Sequence, residues 1–154
     1  MRTVIAGFGN VLRGDDGFGV EVVRRLERAG VADDVRLIEV GTGGFHLAHE
    51  LLSPCDRLVV VDAMTRGGPP GSVYVSEVLS VDLVPDADMH AVLPGQALAW
   101  AKALGVLPQR IVMVGCEPAN VDELTLALSD PVSAAADLAV HRIRDLLFTG
   151  AAHE

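Results

Sequence analysis

The chain has few aromatic residues, no excess of positive charge and no long hydrophobic run. Each of these absences excludes some kinds of fold or binding partner. Aromatic residues make up 4% of the 154 residues although half are hydrophobic, so the core must be aliphatic, as in parallel sheets buried on both faces. Lys and Arg number 12 against 21 Asp and Glu, a formal net charge of −9 with no basic stripe. This argues against nucleic acid or an anionic membrane as a partner. No run approaches the roughly 18 apolar residues of a membrane-spanning helix.

Cysteine is scarce as well, with Cys55 and Cys116 far apart and no CxxC pair. A small acidic chain without a disulfide framework is expected in the cytoplasm. The apolar run in "MRTVIAGFGN" is too short for the core of a signal peptide. The length fits a single domain over residues 1–154. We expect a monomer in which residues 148–154 fray.

Apolar runs and amphipathic stretches alternate along the chain. Buried or alternating runs predict strands at 3–8, 35–40, 57–64, 71–78 and 110–118. Helical spacing predicts helices at 16–29, 44–52, 94–105 and 130–147. The fold class predicted is α/β, three-layer, with a mostly parallel twisted sheet, helices on both faces and 71–78 as an antiparallel edge strand. If the strand order begins 2-1-3, the loops that start near Gly7 and Asp62 are neighbours at the switch point of the sheet.

The stretch "GFGNVLRGDDGFGV" superficially resembles a nucleotide-binding loop. A dinucleotide fingerprint needs a third small residue where Leu12 stands, and a P-loop needs Gly-Lys-Ser/Thr, which is absent. Asp15 and Asp16 would also repel phosphates at the helix start. Helix capping is the plainer interpretation of these aspartates, above all of Asp15. A nucleotide-binding α/β module is kept as an alternative.

Two further features, a histidine pair and the two cysteines, give little indication of a functional site. "HLAHE" places His46 and His49 on one helix face, but its order, H-x-x-H-E, matches neither zinc-protease motif. A partly solvated helix face is the simpler interpretation. Neither Cys55 nor Cys116 has the context of a nucleophile, and no G-x-S-x-G elbow is present.

Three residues remain where a site on an α/β sheet would be assembled: Asp16 at the first helix, Asp62 after the apolar run "LVVV", and His90 in a loop before a helix. A carboxylate at the end of an apolar strand is poorly solvated and needs a partner. Two carboxylates and an imidazole suit a borderline divalent ion such as nickel or zinc. The alternative is a capping aspartate, an aspartate held by backbone amides and a surface histidine.

The order "GFGNVLRGDDGFGV", "EVGTGG", "LVVVDAM", a loop histidine and "VGCEP" resembles the hydrogenase maturation endopeptidase family over roughly residues 1–147. The resemblance implies an aspartyl-type, metal-dependent hydrolase that removes the C-terminal extension of a nickel–iron hydrogenase large-subunit precursor. It implies that Asp16, Asp62 and His90 are the metal ligands and the catalytic residues. The nickel would be supplied by the precursor, and zinc or cadmium could substitute.

The resemblance also suggests accessory positions around the cleft. The family's frequent aspartate before its glycine–threonine turn corresponds to Glu39 here. Residues expected to shape the cleft, or to assist directly in the case of Glu39, are Glu39, Gly9, Asn10, Gly41, Thr42 and Gly43. A non-catalytic metal-recognising chaperone is the other alternative.

Overall fold

The structure is a computed structural model that describes residues 1–81 and 94–152. Within these ranges the strands are β1 (Thr3–Phe8), β2 (Val35–Gly41), β3 (Arg57–Ala63), β4 (Val73–Glu77) and β5 (Arg110–Cys116). The helices are α1 (Phe18–Ala29), α2 (Gly44–Glu50), α3 (Pro94–Ala103) and α4 (Asp130–Ala152). Each predicted element is present, most with shifted ends.

The strands form one sheet in the order β2-β1-β3-β5-β4. The pairs β1–β2, β1–β3 and β3–β5 are parallel, and β4 runs antiparallel to β5 at one edge. The predicted α/β class, the antiparallel edge strand and the 2-1-3 opening of the strand order are therefore confirmed. The switch point lies between β1 and β3, and their carboxyl ends share one edge of the sheet, called here the carboxyl edge.

Each face of the sheet carries its own aliphatic core because successive strand residues point to opposite sides. Val59 and Val61 pack with buried side chains of α1 and α4, on what we call the α1/α4 face. Leu58 and Val60 pack with α2 and α3, on the α2/α3 face. The apolar run predicted from "LVVV" is thus the two-sided interior of the central strand β3.

Helix α1 lies unusually close to β1 because two glycines face each other. A Cβ on Gly19 would collide with the carbonyl oxygen of Val61 and come within 2.5 Å of that of Phe8, and a Cβ on Gly7 would collide with the carbonyl oxygen of Gly19. A dinucleotide fingerprint would have a small residue at position 12 to let the helix approach the strand. In this chain Gly19, within α1, allows that approach instead. Leu12 itself is 56% exposed.

The predicted start of the first helix was wrong. The first helix begins at Phe18 and not at residue 16, because Gly14–Gly17 form a 3₁₀ turn. Gly30 ends α1 as predicted, at φ +88°. The expected fraying of residues 148–154 stays a prediction, and α4 continues to Ala152. Alanine is the strongest helix former, which favours this extension.

The longest helix is α4, with 23 residues. In the parts of the chain at 1–81 and 94–152, no helix combines the length and the apolarity needed to cross a bilayer.

Candidate functional site

The loops that follow β1 and β2 meet at the carboxyl edge. The amide of Gly9, just after β1, donates to the carbonyl oxygen of Gly41 at the end of β2, at 2.9 Å. Both glycines have positive φ, +115° and +62°, a conformation in which other residues are strained. Gly9 and Gly41 therefore join the two loops at this edge, and their role in shaping a cleft stays a prediction.

Asp16 and Asp62 come together across Gly9. A Cβ on Gly9 would collide with the carbonyl oxygen of Asp16 and would lie 3.5 Å from Oδ1 of Asp62. The absence of a side chain at Gly9 thus lets the 3₁₀ turn that carries Asp16 approach the end of β3. The sequence-based expectation that these two aspartates are neighbours agrees with this placement.

The electrostatics of the pair are unfavourable for two negative charges. The pKa of Asp62 is raised from 3.8 to about 7, first by burial and then by the charge of Asp16, and the hydrogen bond from the Ala63 amide only partly offsets these effects. Near neutral pH, Asp62 is therefore poised between its protonated and ionised forms. A positive charge bound between the two carboxylates would offset both effects.

Asn10 holds the carboxylate of Asp16. The Asn10 amide donates to Oδ2 of Asp16 at 2.8 Å, while the side-chain oxygen of Asn10 accepts from the Leu12 amide at 2.9 Å. Asn10 therefore both closes the turn and orients the carboxylate of Asp16, and its accessory role stays a prediction.

His90, the third predicted ligand, lies outside the described residues. In residues 1–81 and 94–152, no group of three or more His, Cys, Asp and Glu side chains is arranged to hold a metal ion. Asp16 and Asp62 alone contribute two oxygen donors. A metal site here would need at least one further ligand from elsewhere, and metal binding by Asp16 and Asp62 stays a prediction.

Glu39 is not directed toward this pair. Its neighbours Ile38 and Val40 pack on the α2/α3 face, so Glu39 lies on the α1/α4 side, where Oε1 accepts from Nη2 of Arg24 on α1 at 3.0 Å. The parity of β3 places Asp62 on the α2/α3 side with Val60. The geometry thus gives Glu39 an ion pair at the surface.

The turn after β2 carries the remaining accessory candidates. The Gly43 amide donates to the carbonyl oxygen of Val40 at 3.1 Å, and Thr42 and Gly43 are exposed. Helix α2 follows directly. This turn is joined to the glycine-rich loop through the bond between Gly9 and Gly41. Within residues 1–81 and 94–152 no hydrogen bond of the Thr42 side chain is seen, and the roles of Thr42 and Gly43 stay predictions.

Asp15 does not cap a helix, contrary to expectation. The 3₁₀ turn and α1 have no side-chain cap hydrogen bond, and the Asp15 carboxylate instead accepts from Ala119, Asn120 and Ser129. Burial would raise the pKa of Asp15, but hydrogen bonds from Ser129, Asn120 and Ala119 hold it below its ordinary value. Sequence reasoning missed this link between the glycine-rich loop and the segment after β5.

Glu117, in "VGCEP", is a second buried acid that sequence reasoning left without a role. Its Oε1 accepts from the amides of Arg66 and Gly68 at 2.8 and 3.0 Å and from the Tyr74 hydroxyl at 2.8 Å. These bonds, that of Arg66 foremost, lower the pKa of Glu117. Glu117 thereby fixes the loop that follows β3.

The side chains considered as rival centres do not form one. His46 and His49 are exposed, and His46 lies 3.6 Å from Glu50 on its own helix. Both cysteines are free thiols. Burial raises the pKa of Cys55, and it raises that of Cys116 to about 11. Neither thiol has the lowered pKa of a cysteine nucleophile.

The sequence comparisons match proteins of hydrogenase maturation. The family model HycI, hydrogenase maturation protease, matches residues 20–146. The hydrogenase expression/formation protein HoxM of Cupriavidus necator is 34% identical over 148 residues, covering 94% of this chain and 73% of that protein. HupD of Rhizobium leguminosarum is 31% identical over 151 residues, covering 93% and 74%.

Solved structures agree with the sequence comparison. The hydrogenase maturating endopeptidase HybD from Escherichia coli superposes with a TM-score of 0.78 at 25% identity, covering 97% of this chain and 94% of that one. The nickel–iron hydrogenase maturation protease HycI from Thermococcus kodakarensis gives a TM-score of 0.76 at 28% identity, covering 95% and 92%. The structural similarity extends over nearly the whole chain.

Proposed function

The chain belongs to the HycI hydrogenase maturation protease family, and we propose that it removes the C-terminal extension of a nickel-loaded hydrogenase large-subunit precursor. That it is an endopeptidase acting in hydrogenase maturation follows from the family and from the structural matches. The substrate, the nickel and the residue roles are the proposal. We expect the enzyme to act in the cytoplasm as a monomer.

One observation carries the proposal: two carboxylates meet at the carboxyl edge, and one of them has too little stabilisation to remain charged by itself. Gly9 brings Asp16 against the end of β3, and the pKa of Asp62 rises to about 7. A site whose charges repel is stabilised by a cation that arrives with its substrate. The metal is then part of what the enzyme recognises.

Asp16 and Asp62, with His90 as the third ligand, would bind open coordination positions of nickel in the precursor. Nickel so held can polarise the scissile carbonyl or activate water. The protein would contribute by holding the two carboxylates in place. The Asn10 amide orients Asp16, and strand β3 carries Asp62 at its end. Fixing the peptide bond beside these groups lowers the entropic cost of attack.

Cleavage can be tested directly by mass spectrometry. Wild-type protein is incubated with nickel-loaded and nickel-free precursor, beside Asp16→Asn, Asp62→Asn and His90→Ala. Asp145→Asn, an exposed carboxylate on α4, is the matched control. We expect shortening of the loaded precursor only, by wild type and Asp145→Asn, and a loss of about a hundredfold or more in the three site variants.

The outcomes separate the alternatives. Precursor that is bound but never shortened would support the non-catalytic chaperone and contradict the protease role. A thermal shift with nucleotides and none with nickel, cadmium or zinc would support the nucleotide-binding module. Equal cleavage by Asp16→Asn, Asp62→Asn and wild type would refute the site assignment while leaving the activity intact.

A further inference from the structure

Asp15 is a buried carboxylate with no direct use in the proposed chemistry. It is 1% exposed. Its Oδ2 accepts from the amides of Ala119 and Asn120 at 2.9 and 3.0 Å and from the Ser129 hydroxyl at 2.8 Å. Its Oδ1 accepts from the Ser129 amide at 2.7 Å. Such charge-assisted bonds are about twice as strong as neutral ones, so Asp15 firmly joins the glycine-rich loop to the segment between β5 and α4.

Main-chain bonds reinforce the same junction. The Asp15 amide donates to the carbonyl oxygen of Asn120 at 2.9 Å, and the Gly14 amide donates to that of Thr125 at 3.0 Å. The Thr125 amide in turn donates to the carbonyl oxygen of Leu12 at 3.0 Å. We call this set of side-chain and main-chain bonds between residues 12–15 and 119–129 the Asp15 junction.

Asp16 is the next residue in the chain, and its position depends on this junction. Its amide donates to the carbonyl oxygen of Arg13 at 3.1 Å, inside the joined segment. Its own carbonyl lies against Gly9, and its carboxylate accepts from the Asn10 amide. The main chain of Asp16 is thus held between Gly9 on one side and the Asp15 junction on the other.

We propose that Asp15 is a positioning residue that, by holding residues 119–129 against the glycine-rich loop, sets the placement of the Asp16 carboxylate beside Asp62. The consequence for nickel recognition rests on the proposed function, whereas the geometric claim does not. Outer hydrogen-bond partners of this kind typically change metal affinity or activity by about 10- to 100-fold when removed.

The substitution Asp15→Asn tests the proposal with almost no change in shape. It replaces one carboxylate oxygen by an NH₂ group, which cannot accept from the amides and hydroxyl that surround it. We expect faster hydrogen exchange at the Asn10 amide, since that amide donates to Asp16. We also expect about tenfold weaker binding of cadmium, used as a probe ion, and a similar fall in kcat on nickel-loaded precursor.

Ile143→Ala is the matched control for a general loss of stability. Ile143 is fully buried in α4 near the opposite edge of the sheet, where the carbonyl oxygen of Leu146 accepts from Arg57 at the start of β3. The variant Ile143→Ala should lower the Tm and leave hydrogen exchange at the Asn10 amide, cadmium affinity and kcat at wild-type levels. Ser129→Ala, which removes one of the four bonds to the carboxylate, should move all three readouts part of the way.

The results decide both claims separately. If Asp15→Asn only lowers the Tm, as the control does, the proposal is overturned. If Asp15→Asn does not fold, Ser129→Ala supplies the same readouts, and wild-type values in that variant overturn the proposal. If wild type neither binds cadmium nor cleaves precursor, the proposed function fails, and exchange at the Asn10 amide still decides whether Asp15 positions Asp16.

Discussion

Replacing Asp62 by asparagine should make the metal-free protein more stable, although it removes a proposed ligand. The side chains are isosteric, and the amide carries no charge for burial or Asp16 to destabilise. In the folded protein the pKa of Asp62 is about 7, against an ordinary value of 3.8. The side chain therefore lowers the free energy of unfolding at every pH at which the unfolded state has released this proton.

The pH window and the magnitude follow from the two pKa values. Between about pH 4 and pH 7 the folded state keeps a proton that the unfolded state has released, so stability falls as the pH rises through this range. Above pH 7 the full cost is present, and at 1.36 kcal/mol per unit it amounts to about 4 kcal/mol. At pH 5 about 1 to 2 kcal/mol has accrued, so the advantage of Asp62→Asn should grow by about 3 kcal/mol from pH 5 to pH 8.

Urea unfolding in the presence of a chelator measures this difference. Trp100, the single tryptophan, stacks on Phe45 with ring centroids 4.2 Å apart and provides the fluorescence signal. Asp145→Asn on α4 is the control, because that side chain is 68% exposed, and it should change stability by less than about 0.5 kcal/mol at either pH. Adding cadmium should stabilise wild type more than Asp62→Asn.

Two outcomes would refute the reasoning. Equal stability of wild type and Asp62→Asn at pH 8 would mean that Asp62 is charged at no cost. A gain of the same size at pH 5 and pH 8 would mean that the substitution acts through packing or hydrogen bonding. Only a gain that increases with pH supports a desolvated carboxylate.

Further predictions concern the packing of α1 on the sheet and the role of Glu39. Gly19→Ala should destabilise the protein by about 3 kcal/mol in urea unfolding, since its Cβ would collide with the carbonyl oxygen of Val61. Gly95→Ala in α3, with no atom within 4 Å of its Cβ, should be neutral or stabilising by up to about 1 kcal/mol; equal effects at the two sites would contradict the close approach of α1. Glu39→Gln should keep precursor cleavage within about twofold, since Glu39 pairs with Arg24 at the surface. A large loss of kcat would instead give Glu39 a direct role.

The fold could be predicted because its signals are local and redundant. The run before Asp62 is apolar at every position, which is typical of a central strand, and the alternating stretch around Tyr74 indicated the edge strand β4. The start of α1 could not be predicted. The helical periodicity reaches back toward residue 16, but the Asp15 junction holds residues 14–17 in a 3₁₀ turn. A tertiary contact here overrides local propensity.

The meeting of Asp16 and Asp62 could be predicted from topology, since parallel strands place their carboxyl ends at one edge. The roles of Asp15 and Glu117 could not be. Most of their donors are backbone amides, and an amide has no residue type by which a sequence can reveal it. His90 stays a prediction, carried by the resemblance and outside the described residues.

Three carboxylates of this edge, those of Asp15, Asp62 and Glu117, differ in how many hydrogen-bond donors the fold gives them, and that difference bears on where we expect a cation to bind. Asp15 accepts four hydrogen bonds and Glu117 accepts three, and both have lowered pKa values. Asp62 has the Ala63 amide as its favourable partner and Asp16 as a repulsive neighbour, and its pKa is raised. A carboxylate already satisfied by amides gains little from a metal, whereas Asp62 gains most. We therefore expect a cation to bind at Asp62 rather than at Asp15 or Glu117, because Asp62 has the fewest hydrogen-bond donors.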